Sequence, residues 1–126
     1  MKEETRNFIE KSKKAIRAAE IMLREDQYDV SVSRAYYSML YTAKALLVEE
    51  DFRFKKHTAV HSAYSRHFSK TGLLDKKFHR QMLNAFDQRL EADYDDIPSI
   101  SVEEVHAIIK QAKEFLAAAQ KFLSKN

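Results

Sequence analysis

Ser33-Arg34-Ala35-Tyr36-Tyr37-Ser38-Met39-Leu40-Tyr41-Thr42-Ala43-Lys44-Ala45-Leu46-Leu47 is the stretch that decides the fold. Wound at about 100° per residue, it puts Tyr36, Met39, Leu40, Ala43, Leu46 and Leu47 on one broad apolar arc, with Val32 just before them. The opposite arc holds Arg34, Tyr37, Ser38, Tyr41 and Ala45, with scarcely an ordinary solvating charge. A helix that is apolar or aromatic on both sides is buried on both sides. Either this helix is central to the monomer, or its second face meets another chain. The favoured reading is a symmetric dimer with Arg34, Tyr37, Ser38 and Tyr41 in the interface.

Periodicity on either side supplies the rest of an all-α protein. A first helix over about Glu4 to Arg24 carries Phe8, Ser12, Ala15, Ile16, Ala19, Met22 and Leu23 on one stripe. Asp26 or Asp29 then offers an N-cap for the second helix, which runs to about Glu49. A third helix from about His57 to Ser69 turns Val60, Tyr64, His67 and Phe68 inward, His67 hydrogen-bonding in the core. It stops at Thr71-Gly72, where the only glycine suits a left-handed cap. A fourth spans roughly Asp75 to Leu90, with Phe78, Met82, Ala85 and Phe86 inward. The last opens on Ser101-Val102-Glu103-Glu104, a capping box, and carries apolar residues to Leu123. Short joins between long helices predict an up-and-down bundle of about four long helices plus one shorter helix, a single domain over residues 1–126.

Composition narrows the function classes. One glycine and one proline in 126 residues leave too few turn residues for a sheet protein. Without cysteine there is no disulfide and no thiolate metal site, and the expected compartment is the cytoplasm. The charged start, Met1-Lys2-Glu3-Glu4-Thr5-Arg6, does not read as a signal peptide, and no apolar run reaches membrane-spanning length. A net charge of +3 with both signs interspersed excludes a broad phosphate footprint. Nucleic acid would have to bind in a local cleft.

The sharpest local anomaly is Arg89-Leu90-Glu91-Ala92-Asp93-Tyr94-Asp95-Asp96. Arg89 projects between Met82, Ala85 and Phe86 on the inward stripe. Asp93, four residues on, is placed to pair with it if the helix continues that far. Arg89 is then either a clamp on the last helical turn or a guanidinium offered to phosphate. His57 and His61, four residues apart, share a helix face but lack a third ligand, so no metal is assigned. No Ser/His/Asp triad, glycine-rich phosphate loop or paired catalytic carboxylates stand out, and no cofactor is expected.

With these residues in hand, the chain resembles the small stand-alone proteins of the HEPN superfamily. The resemblance rests on Ser33-Arg34-Ala35-Tyr36-Tyr37-Ser38-Met39, on Lys56-His57, on His67-Phe68-Ser69-Lys70-Thr71-Gly72 and on Arg89-Leu90-Glu91-Ala92-Asp93-Tyr94-Asp95. It implies a dimerising five-helix bundle, often encoded beside a small nucleotidyltransferase as a toxin–antitoxin pair. Active relatives are metal-independent ribonucleases whose motif is an arginine followed, after four to six residues, by histidine. Here Arg89 fits the arginine, while Tyr94, Asp95 and Asp96 occupy the histidine positions. Tyrosine is a poor general base near neutral pH.

Two readings stand at this point. In one, a homodimer binds RNA or nucleotide through Arg89, Asp93, Tyr94 and Arg34, with Arg89 and Tyr94 the candidates for any RNA cleavage, and a nucleotidyltransferase holds it in check. In the other, a non-catalytic helical interaction module uses Arg89, Asp93 and Tyr94 structurally.

Overall fold

Among the described residues five α-helices make up the fold: α1 (Glu3–Arg24), α2 (Tyr28–Glu49), α3 (His57–Tyr64), α4 (Lys77–Tyr94) and α5 (Val102–Ser124). The computed structural model describes residues 1–94 and 100–125. Asp95 and Asp96 lie outside the described residues. Among those described there is no strand, and no helix is long and apolar enough to cross a membrane.

The two-sided second helix is the centre of the monomer. α2 packs against α1, α3, α4 and α5, so both of its arcs are covered largely by its own chain. Val32, Ala35, Tyr36, Met39, Leu40, Ala43, Leu46 and Leu47 are buried in a single core with Val60, Tyr64, Phe68, Met82, Val105, Phe115 and Ala119. Ser38 is also fully buried, facing α1 rather than a free surface. Its hydroxyl and carbonyl, with the Thr42 hydroxyl, all lie within 2.8–3.0 Å of Ser12 Oγ. Small hydroxyl side chains let α1 and α2 approach closely, and their mutual hydrogen bonds offset the cost of burying them. Between its two ends, what stays half-exposed on α2 is a narrow stripe: Ser33, Arg34, Tyr37, Tyr41 and Lys44.

The helix ends depart from the sequence expectation in an informative way. Neither Asp26 nor Asp29 caps α2; the N-cap position is Gln27, without a side-chain cap bond. Asp26 instead adopts φ +58° and closes α1. Gln27 N–H donates to Met22 O and Asp26 N–H to Leu23 O, which satisfies two orphan carbonyls. Asp51, at φ +67°, closes α2 through the same pair of bonds, from Phe52 N–H to Leu47 O and from Asp51 N–H to Val48 O. With so little glycine available, aspartate takes the left-handed positions, which it tolerates better than bulky residues do.

The third helical segment is not uniform. Its last part, Ser65–Ser69, widens into a π turn, with Lys70 N–H donating to Ser65 O. Gly72 follows at φ +76°. His67 is not a hydrogen-bonded core histidine: it is half-buried and stacks on Phe52, ring centres 4.2 Å apart. The serine half of the α5 capping box forms, Ser101 Oγ accepting from Glu104 N–H at 3.1 Å, while the Glu104 carboxylate accepts from the Ser101 hydroxyl itself at 3.1 Å.

Candidate functional site

α4 continues to Tyr94, which puts Arg89 and Asp93 on the same helical face. Arg89 leans inward, its side chain 21% exposed, and its Nε lies 3.5 Å from Asp93 Oδ2. That contact is an ion pair without hydrogen-bond alignment: Arg89 Nε is buried and has no hydrogen-bond partner among the described residues. Asp93 is 45% exposed, so the pair is partly solvated and weak. The arginine is held, but not saturated.

Its other neighbours are the aromatic rings of α2. The guanidinium carbon of Arg89 lies 5.1 Å from the Tyr37 ring centre and 5.8 Å from that of Tyr36. Arg34 approaches the Tyr37 ring as well, at 4.8 Å. Arg34 has no carboxylate partner among the described residues. Two guanidinium groups beside one tyrosine ring gain cation–π attraction, and among the described residues only Arg89 has a carboxylate, Asp93, as a partial counter-charge.

The structure adds a residue to this cluster that sequence reading placed elsewhere. His57, the first residue of α3, sits edge-on to Tyr37 with ring centres 5.5 Å apart, and 5.8 Å from the Tyr36 ring. Burial lowers its pKa from the usual histidine value, and the positive charges of Arg89 and Lys44 lower it further. Neither ring nitrogen of His57 makes a hydrogen bond within the described residues. His61, one turn along, differs: its Nε2 lies 2.7 Å from the Tyr36 hydroxyl and its ring is 4% exposed. Burial, with lesser contributions from His57 and His79, pulls its pKa down to about 4, so it is neutral near pH 7. Thus the two histidines serve different neighbours. Among the described residues no group of three or more histidines and carboxylates gathers as a metal site would require.

Of the residues expected at the site, Arg89 and Arg34 both approach the ring of Tyr37, a residue expected in the dimer interface, with Asp93 at the edge as a partial counter-charge. Tyr94 ends α4 with 83% exposure. Tyr41 stands next along the α2 stripe, 6.0 Å from Tyr37, and stacks on Phe8 of α1 at 6.3 Å. Lys11 lies over both of those rings, at 5.6 Å from Tyr41 and 5.8 Å from Phe8. The face from Arg89 to Lys11 is therefore aromatic and cationic, a combination that suits phosphate with stacked bases.

Comparison with known proteins agrees with this architecture. The profile of the HEPN domain family matches residues 5–122. A Methanocaldococcus jannaschii protein named "Putative toxin MJ0142" is 37% identical over 126 residues, covering 99% of this chain and 86% of the relative. A second protein of that organism, "Putative toxin MJ0605", is 32% identical over 98% of this chain and 91% of its own. The UPF0332 protein glr0978 of Gloeobacter violaceus is 32% identical over 98% of this chain and 99% of its own. A family profile spanning nearly every helix, and relatives matched end to end, lead to one conclusion: this chain belongs to the HEPN domain family.

Proposed function

We propose that this protein is a toxin-like HEPN homodimer that binds RNA or a nucleotide at the Arg89–Tyr37–Arg34 cluster and is restrained by a small nucleotidyltransferase partner. The observation that carries the binding site is Arg89 itself. Its Nε is buried without a hydrogen-bond partner among the described residues, and a second guanidinium approaches the same ring. A phosphate beside Arg89 accepts the donor that the described residues leave unused. The toxin names of the Methanocaldococcus relatives and the resemblance of the α2 and α4 segments support the restrained-toxin part of the reading.

The second copy belongs on the part of α2 that its own chain leaves half-open, the stripe through Arg34, Tyr37 and Tyr41. Two such basic stripes facing one another repel unless offset or bridged by an anion. Dimerisation and phosphate binding therefore share one face.

A competing reading as a non-catalytic interaction module draws on the Arg89–Asp93 pair, which ties the last turn of α4. Titrating a fluorescent single-stranded RNA at low salt separates the two. The binding reading expects a clear loss of affinity in Arg89→Ala and partial recovery in Arg89→Lys, which keeps the charge but not the planar fork. Equal affinity in wild type and a folded Arg89→Ala would leave the interaction module in possession. Light scattering in the same buffer checks the dimer, which a monomer mass would refute.

A further inference from the structure

Where α2 gives way to α3, the chain folds back over its own helix and leaves a cleft of about 170 Å³. Its wall is mostly apolar. Leu47 and Val48 of α2 and Val60 of α3, all buried, line it together with Phe8 of α1 and the loop residues Phe52 and Phe54. Arg34, Tyr37 and Arg89 take no part in it. The cleft originates in the loop. The bonds from Asp51 and Phe52 N–H that close α2 turn the chain back, and Phe52 then stacks on His67 with ring centres 4.2 Å apart. Arg53, next in sequence, grips Glu4 of α1 through two bonds of 2.7 and 2.9 Å. The loop is thus fastened at two points, while the Phe54 ring stays 38% exposed at the edge of the cleft.

The polar part of the lining selects the ligand. Lys44 of α2 lines the same cleft and has no carboxylate partner among the described residues. Glu4, the one carboxylate in the described lining, is taken by Arg53. Arg53 has in addition Asp51 at 3.6 Å, so its charge is already met. Lys44 Nζ lies 5.8 Å from the Phe8 ring centre, and Lys11 shares that ring at the same distance. Partial burial and the charge of Lys11 lower the Lys44 pKa, as befits an ammonium short of an anion. A carboxylate bound beside it would offset both effects.

We propose that this cleft binds a small aryl carboxylate, with the ring against Phe8, Leu47, Val48 and Phe54 and the carboxylate on the Lys44 ammonium. The inference goes beyond the nucleic-acid reading and does not depend on it. An apolar cavity of about 150 Å³ holds one benzene ring, so the volume suits a single ring on a short acidic tail. Binding takes that ring, and part of the Phe54 ring, out of water. The carboxylate supplies the acceptor that Lys44 lacks, in a half-buried place where a charge-assisted bond is stronger than in open water.

Calorimetric titration of the intact chain with hydrocinnamate and with its uncharged amide separates the ring from the charge. In wild type both are expected to bind at one site, the carboxylate about tenfold or more tighter. Lys44→Met keeps the aliphatic stem; it should bring the carboxylate down to the level of the amide. Val48→Phe, which fills the cleft, should abolish binding of both, with thermal unfolding to show that the variant is folded. In wild type with labelled methyl groups, both ligands should move the Leu47, Val48 and Val60 signals, a readout that needs no variant. Absence of saturable carboxylate binding at millimolar concentration would overturn the proposal. So would equal affinity for the two ligands in wild type, or a carboxylate preference that survives in Lys44→Met. Shifts confined to other methyl groups would place the ligand elsewhere and overturn it as well. Affinity that falls as the protein concentration is raised would put a second copy of the chain in the cleft instead.

Discussion

His57 and His61 lie one helical turn apart on α3 and live in opposite environments. His61 is dry, its Nε2 bonded to the Tyr36 hydroxyl and its ring edge-on to Phe86, with centres 5.0 Å apart. His57 stands at the rim, near two arginine-bearing elements, with no hydrogen bond among the described residues to fix either nitrogen. Tyr36 connects the two. Its hydroxyl reaches inward to His61, while its ring helps carry Arg89 and His57 outside. One residue type at one spacing is therefore hydrogen-bonded in the core on one side of a ring and left at the rim on the other. What separates the two environments is whether the ring nitrogens are bonded inside the protein or left without a partner among the described residues.

The strongest test of this division removes the shared ring. Tyr36 is fully buried, so Tyr36→Ala should cost about 3–5 kcal/mol, visible as a much lower midpoint in denaturant unfolding. Tyr37→Ala, at the half-open rim, should cost far less and act mainly on RNA affinity. Equal destabilisation by the two variants would erase the distinction between inner and outer regions.

Acid should act on the inner region next. His61 has a folded pKa of about 4 against an ordinary 6.5. The unfolded chain therefore binds the extra proton between those values, and stability falls as pH drops from 6.5 to 4. The loss from this residue approaches about 3 kcal/mol at the low end and is absent above pH 7. Melting curves over pH 4–7.5 should show this slope in wild type and a flatter one in His61→Gln. Below that window the carboxylates Glu49, Glu4 and Asp51, whose pKa values are lowered, add a separate loss as they become protonated.

The bundle was legible in the sequence because each helix advertises its buried stripe every three to four residues, and the α5 cap because Ser101 and Glu104 act locally. Less legible were the ends closed by Asp26 and Asp51, since aspartate in the left-handed region carries no mark as plain as glycine. The two-sided pattern of α2 is the same whether its second face is covered by its own chain or by another, so periodicity favoured a partner where the monomer supplies most of the cover. Ser38 shows the limit: its hydroxyl reads as an interface group, and only the approach of Ser12 on α1 reveals it as internal. Arg89, Arg34 and Tyr37 could be picked out as anomalies on their own helices. His57 could not be joined to them, because its place depends on how α3 packs beside α4, a relation that no spacing in the chain encodes.

The smallest expected effect is also the most discriminating for the outer region. If Arg89 were an internal clamp, removing it would strand a buried carboxylate and cost about 3–5 kcal/mol. The geometry argues otherwise: Asp93 is 45% exposed and keeps its hydration when the arginine is gone. The ion pair is misaligned, and exposed pairs contribute at most about 1 kcal/mol. Arg89→Met retains the stem that packs towards Tyr36 and Tyr37, so the loss should stay near or below that figure. Removing a cation beside His57 should at the same time raise the histidine's pKa, because Arg89 is one of the charges holding it down. Two measurements on one protein decide the matter. Thermal unfolding should move by only a few degrees, and the His57 titration, followed by NMR of the ring protons, should shift to higher pH. A large fall in stability with an unmoved titration would make Arg89 part of the inner, structural region and dissolve the contrast between the two sides of Tyr36.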